Sequence, residues 1–240
     1  MFNRSLLFLL FFFLLAYACT EKSSSKDKHT SGGRANEGLL EEETTYPDRN
    51  AALRGVDPAM VDYFCVPGKN VGKITPSFTE KQLIETYGAD NVIREEIGFG
   101  EGESVPGTIV FPDSTKELVV YWLKEYPYEK IAKIRIDKEG GPWKTITGIQ
   151  VGTSLEQLEK INGKPFNFYG FEWDYSGLVE NWNEGNISDE LQVFLEPGNP
   201  EAVIPELLGD REFPSTHPNA VEGKLRVSSM VFFFSHEPIE

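Results

Sequence analysis

Apolar residues recur along this chain with two spacings, and each predicts its own kind of element. In GTIVF, ELVVYWL and IAKIRI, β-branched and aromatic residues crowd into short runs divided by PDSTK and KEYPYEK, which is the composition of strands joined by turns. LQVFL, FNFYGFEWDY and LRVSSMVFFF carry the same signal further on. In the last of these a period of two places Leu225, Val227, Ser229, Val231 and Phe233 on one face. The helical spacing appears in two similar phrases, ITPSFTEKQLIETYG from Ile74 and IQVGTSLEQLEKING from Ile149, 75 residues apart. In the first, Thr79 and Gln82 form a capping box, Phe78 and Leu83 occupy the positions of a hydrophobic staple, and Gly88 is the stop. In the second, Ser154 and Gln157 repeat the box, Leu155, Leu158 and Ile161 make one apolar stripe, and Gly163 is the stop. A further short helix is expected over DPAMVDYF, from Asp57 to Phe64, closed by Val66-Pro67-Gly68.

Helices this short are marginal alone, because isolated helices below ~12–15 residues rarely persist in water. Each must lay its stripe on a sheet, and antiparallel strands follow each one. The prediction is an α+β fold of two tandem helix-then-antiparallel-strand modules, residues 57–146 and 147–240, with the short helices packed on one face of the sheet. The second copy then completes a core that the first would leave open. A Pro/Gly-rich stretch, residues 196–223, interrupts the second module, and its length suits a rim or lid over one end of the sheet.

The sequence of apolar entry, small residue, Ser/Thr, amphipathic turns, Gly and hairpin resembles the duplicated modules of β-lactamase-inhibitor-protein-like domains. It is also similar to the single-module small lipoprotein of the outer-membrane assembly machinery. The resemblance covers about residues 71–240 as a pattern and implies protein–protein interaction; it carries over no catalytic residue. GKPFNFYGFEWDYSGLVENW has no counterpart in it.

The ends add a location. MFNRSLLFLLFFFLLAYAC sets Arg4 before an uncharged apolar run from Leu6 to Ala18, the outline of a signal peptide over residues 1–18. That run is too short for a bilayer core of ~30 Å. Cys19 directly after Ala18 resembles the lipobox of bacterial lipoproteins, in which the Cys becomes the lipidated first residue. The usual Leu and Ala/Ser, three and two residues before the Cys, are Ala16 and Tyr17 here, with Leu15 displaced by one. The resemblance implies lipidation of Cys19 and a membrane anchor, most simply in the outer membrane, facing the periplasm or the cell surface. Ordinary cleavage with an incidental Cys is the plainer alternative. Residues 19–50 then form a tether almost without large apolar side chains, too polar to fold, with a reach of ~30 Å.

Charge and chemistry narrow the partners. The net charge is −15, and removal of residues 1–18 with Arg4 makes it −16, a balance that repels phosphate backbones and argues against nucleic acid. Cys65 in MVDYFCVPG is then the one remaining thiol and reads as a packing residue. There is no GxSxG, HExxH or CxxC pattern, and no cofactor or metal site is expected. GFGEGESVPG, residues 98–107, reads as a flexible acidic loop; calcium through Glu101, Glu103 and Asp113 lacks the required spacing.

FNFYGFEWDYSGLVENW is the richest stretch. Trp173, Tyr175 and Trp182, interleaved with Glu172, Asp174 and Asn181, have the composition of a stacking platform flanked by hydrogen-bonding groups. Phe166, Phe168 and Phe171 read as core. The leading expectation is a non-catalytic binding module with Trp173, Asp174, Tyr175 and Trp182 on its contact surface and an envelope protein as partner. A carbohydrate- or peptidoglycan-binding lipoprotein is one alternative. An enzyme of unrecognised class is another, its acidic pair being Glu172 and Asp174 on one strand face.

Overall fold

Both capping boxes close as their spacing predicts. In the computed structural model, which describes residues 62–100, 102–199 and 201–236, helix α1 spans Glu80–Tyr87 and α2 spans Leu155–Asn162. Thr79 Oγ1 accepts from the Gln82 amide at 3.3 Å while Gln82 Oε1 accepts from the Thr79 amide at 2.9 Å. Ser154 and Gln157 make the same reciprocal pair, at 3.3 Å each way. These bonds satisfy amides that the first helical turn would otherwise leave without partners.

The strands are β1 (Phe64–Val66), β2 (Asn70–Val71), β3 (Val92–Gly100), β4 (Glu103–Val110), β5 (Leu118–Trp122), β6 (Ile131–Ile136) and β7 (Lys144–Thr145). After α2 come β8 (Asn167–Tyr169), β9 (Leu178–Val179), β10 (Leu191–Glu196), β11 (Glu212–Pro214) and β12 (Arg226–Phe233), with a five-residue helix α3 (Pro218–Glu222) before the last. Seven strands form one antiparallel sheet in the order β3-β4-β5-β6-β12-β10-β9. The fold is therefore mixed α and β with mostly antiparallel sheet, as the α+β prediction has it. All strands of this sheet drawn from before residue 147 lie on one side of the β6–β12 seam, and all those from after it lie on the other.

One continuous core lies on the helix-bearing face. Leu83 of α1 and Leu155 and Leu158 of α2 join Val110, Leu118, Val120, Trp122, Ile134, Ile136, Met230, Phe232 and Val193 there. At its edge Glu80 is buried against the sheet: Arg94 Nε donates to both carboxylate oxygens at 3.0 and 2.8 Å, and Thr108 Oγ1 donates at 3.0 Å. Thr108 in turn accepts from Trp122 Nε1 at 3.0 Å, so the charge is fully coordinated as it enters the core. On the opposite face Ile97, Val105, Val119 and Tyr121 make a smaller cluster. Among the described residues no helix is long and apolar enough to cross a membrane.

Some expectations fall outside the described residues, and others need correction. The signal peptide, Cys19, the tether to residue 50 and most of the helix expected over 57–64 lie outside the described residues. The described end of that helix, Asp62 to Phe64, is a turn running into β1. Pairing decides it: Cys65 lies opposite Val71 on one side and Thr145 on the other, which satisfies the backbone better than a last helical turn would. The described residues of GFGEGESVPG belong to a hairpin and not to a loose loop, since Val92–Gly100 pairs with Glu103–Val110 almost throughout. Glu103 thus belongs to a strand, Asp113 to the following turn, and Glu101 lies outside the described residues.

The face shared by Leu225, Val227, Ser229, Val231 and Phe233 is broken. Leu195 faces Val227 while Phe194 faces Ser229, so Ser228 is an extra residue in β12, its hydroxyl donating to the Phe194 carbonyl at 3.2 Å. The bulge turns the strand over. Leu225 and Val227 enter the main core before it, and Met230 and Phe232 after it. Lastly, the 196–223 stretch is built, with a 3₁₀ turn at Pro205–Leu207, then β11 and α3.

Candidate functional site

FNFYGFEWDY is a strand only to Tyr169, because Gly170 meets other backbone at close range. Its amide donates to the Arg211 carbonyl at 2.9 Å, and a Cβ there would lie 2.4 Å from the Gly209 oxygen. The chain then bridges Phe171 to Leu208 and turns through residues 172–177 before β9. Gly177 closes this turn at φ 75°, with its carbonyl accepting from the Leu195 amide at 2.8 Å; a side chain at Gly177 would strike the Leu195 oxygen. Within the turn the Ser176 amide donates to the Trp173 carbonyl, and the Leu178 amide to the Tyr175 carbonyl, at 2.9 Å each.

This turn presents two of the predicted aromatics to solvent: Trp173 is 59% exposed and Tyr175 is 56% exposed. Asp174 and Glu172 are exposed beside them. Tyr169 supports the platform, its ring 5.5 Å from that of Tyr175 and its hydroxyl 3.3 Å from Glu180 Oε2. Glu212 lies opposite Tyr169 in the β8–β11 ladder. The charge of Glu180, followed by desolvation and the charges of Glu212 and Asp210, raises the Tyr169 phenol above its ordinary value. The platform is therefore aromatic at its centre and acidic at its margin.

Trp182 is a correction. Its indole is 0% exposed, packs edge-on against Phe166 at 5.0 Å between centroids, and donates from Nε1 to the Leu191 carbonyl at 2.6 Å. Asn162, at the end of α2, fixes the same segment by donating to the carbonyls of Trp182 and Lys164 at 2.9 Å each. With both its faces and its N–H engaged inside the protein, Trp182 offers no surface to a partner. Phe166, Phe168 and Phe171 are buried as the sequence predicts. The argument for Glu172 and Asp174 as a pair on one strand face falls with the strand, since both sit in the turn and Glu172 has a φ of 69°.

The sequence reading missed a cleft of about 280 Å³ beside the platform. Glu172 and Ser176 of the turn form one wall, Leu195 and Glu196 line it, and Val203, Ile204 and Leu208 come from the 196–223 stretch. The signal was AVIPELLG, an apolar group inside a Pro/Gly-rich stretch; Val203 is 62% exposed while Leu207 is buried. Glu196 accepts from Arg226 Nη2 at 2.9 Å, which fixes the far wall. Small-molecule pockets commonly enclose ~300–1,000 Å³, so this cleft suits a side chain or two better than a whole buried ligand. Among the described residues no three His, Cys, Asp or Glu are grouped to hold a metal ion. No family model, no curated protein and no solved structure matches this chain, so its chemistry is read from these residues alone.

Proposed function

We propose that this chain is a lipid-anchored envelope protein whose body is a non-catalytic binding module, with the Trp173–Tyr175 turn and the adjoining cleft as its contact surface. One observation carries the binding reading: two large aromatic side chains stand exposed on a turn held by backbone hydrogen bonds, next to an open cleft. Anchoring rests on the apolar run before Cys19 and the polar tether after it. The duplicated architecture is supported by two capping boxes 75 residues apart, each followed by strands that meet at β6 and β12. Glycan binding is the second reading, favoured by the same exposed indole, which can stack on a sugar ring.

The test uses the full chain in its native envelope. Cys19→Ser is expected to abolish incorporation of labelled palmitate and release the protein to the soluble fraction. A Trp173→Ala, Tyr175→Ala double variant is expected to melt like the parent while losing, after detergent solubilisation, a stoichiometric partner that the parent retains. Equal retention by both proteins would remove the turn from the contact surface.

A further inference from the structure

We propose that the occupant of this platform is an extended peptide segment bearing Lys or Arg, its cation seated over the Trp173–Tyr175 rings and between the surrounding carboxylates. The inference rests on the binding reading above and adds the chemistry of the partner. From Pro165 to Glu196 the chain contains no Lys, Arg or His, and Glu172, Asp174 and Glu180 all lie exposed in or beside the turn. Asp210 and Glu212 approach from the neighbouring β11 region, and their charges are felt at the Tyr169 phenol. The basic residue between them makes no ion pair with either in the structure. Arg211, in the bend before β11, sets its guanidinium 4.7 Å from the ring centroid of the buried Phe213.

An exposed electron-rich ring with carboxylates on the same turn and on its supporting tyrosine attracts a cation twice, through the ring face and through the field of the acids. An anionic segment would meet the same field as repulsion, and a neutral sugar would gain nothing from it. The protein already uses this chemistry internally, with Arg94 lying 3.9 Å from the Tyr128 ring centroid beside Glu80. The modest cleft next to the platform, lined by Glu172, Ser176, Glu196 and Ser228 as well as by apolar residues, has room for a polar or basic side chain flanking that cation in an extended peptide.

Trp173 reports on the site directly. The other three tryptophans, Trp122, Trp143 and Trp182, are buried, so collisional quenching of fluorescence reads Trp173. Caesium is expected to quench it more strongly than iodide. The full chain would then be titrated by fluorescence and calorimetry with capped six-residue peptides of alternating Lys-Ala, Arg-Ala and Glu-Ala, and with a neutral chito-oligosaccharide. Saturable binding of the Lys and Arg peptides alone is expected, weakening about tenfold or more between low and high salt. A Glu180→Gln, Glu212→Gln double variant should weaken it about fivefold or more while the exposed rings remain. Salt-independent binding of the oligosaccharide, or equal binding of the Glu-Ala peptide, would overturn the cationic partner and leave the contact surface standing. No binding of the cationic peptides by a chain that still captures its envelope partner through Trp173 and Tyr175 would also overturn it. Capture that ignores the Trp173 and Tyr175 substitutions would instead overturn the binding reading beneath it.

Discussion

At the scale of single residues, two tryptophans nine positions apart have opposite fates, and the difference sets a measurable contrast. Trp182 fills the core against Phe166 and bonds the Leu191 carbonyl, so Trp182→Ala should cost about 3–5 kcal/mol, as for other buried aromatics. Trp173→Ala should stay within about 0.5 kcal/mol of the parent, since the indole is largely in water. Urea unfolding of the two variants checks both, and a large loss for Trp173 would mean that the platform is part of the fold. Neither fate was fully legible. Both tryptophans sit among polar neighbours, EWDY and ENWNE, and what buries Trp182 comes from Phe166 and Leu191, which local pattern does not bring beside it. Gly177 and Gly170 decide the turn through close backbone contacts that no periodicity encodes.

At the scale of elements, start and stop signals were the most legible feature because a capping box is a local contact, complete within four residues. Thr79→Ala and Ser154→Ala should each cost about 1 kcal/mol, measured as a lower urea midpoint with an unchanged slope. An unchanged midpoint for either would show that tertiary packing holds that helix end without its cap. Strands were legible as runs of apolar residues and illegible in their register. The Ser228 bulge is the clearest case. Strict alternation assigns Val231 and Phe233 to the face of Leu225 and Val227, and one extra residue hands that face to Met230 and Phe232. The bulge depends on the partner strand, where Phe194 and Leu195 pair on either side of it. The hairpin over 98–107 was hidden for a related reason, since its glycines and acids look like a loop until the facing strand is known.

At the scale of the whole molecule, the buried ionisable groups set how stability responds to alkali. Burial pushes the Cys65 thiol from 9.0 up to about 12, and burial with the nearby Asp62 charge pushes the Tyr87 phenol from 10.0 up to about 12. Both groups bind their proton more tightly folded than unfolded. Their contribution to stability is therefore intact below about pH 9 and is lost as the pH climbs towards 12. Urea midpoints at about pH 7, 9 and 11 should be level between the first two and lower at the third, while Cys65 stays unreactive to thiol reagents in the folded protein. Labelling of Cys65 itself, as distinct from Cys19, at neutral pH without unfolding would contradict the burial assigned to it.

The seam between β6 and β12 has a consequence for the history of each molecule. Ile134 pairs with Phe232 and Ile136 with Met230, so residues almost a hundred positions apart meet in the middle of the sheet. A chain emerging from its amino end can assemble the hairpins of β3 to β6 as it appears, but the inner edge of that half stays open until β12 arrives. Contacts of such long range form slowly, and an unpaired apolar strand edge invites other chains meanwhile. Assembly is thus a race between the arrival of the last strand and the capture of β6 by a neighbour, and the chain reaches its final shape soonest where its own copies are kept apart.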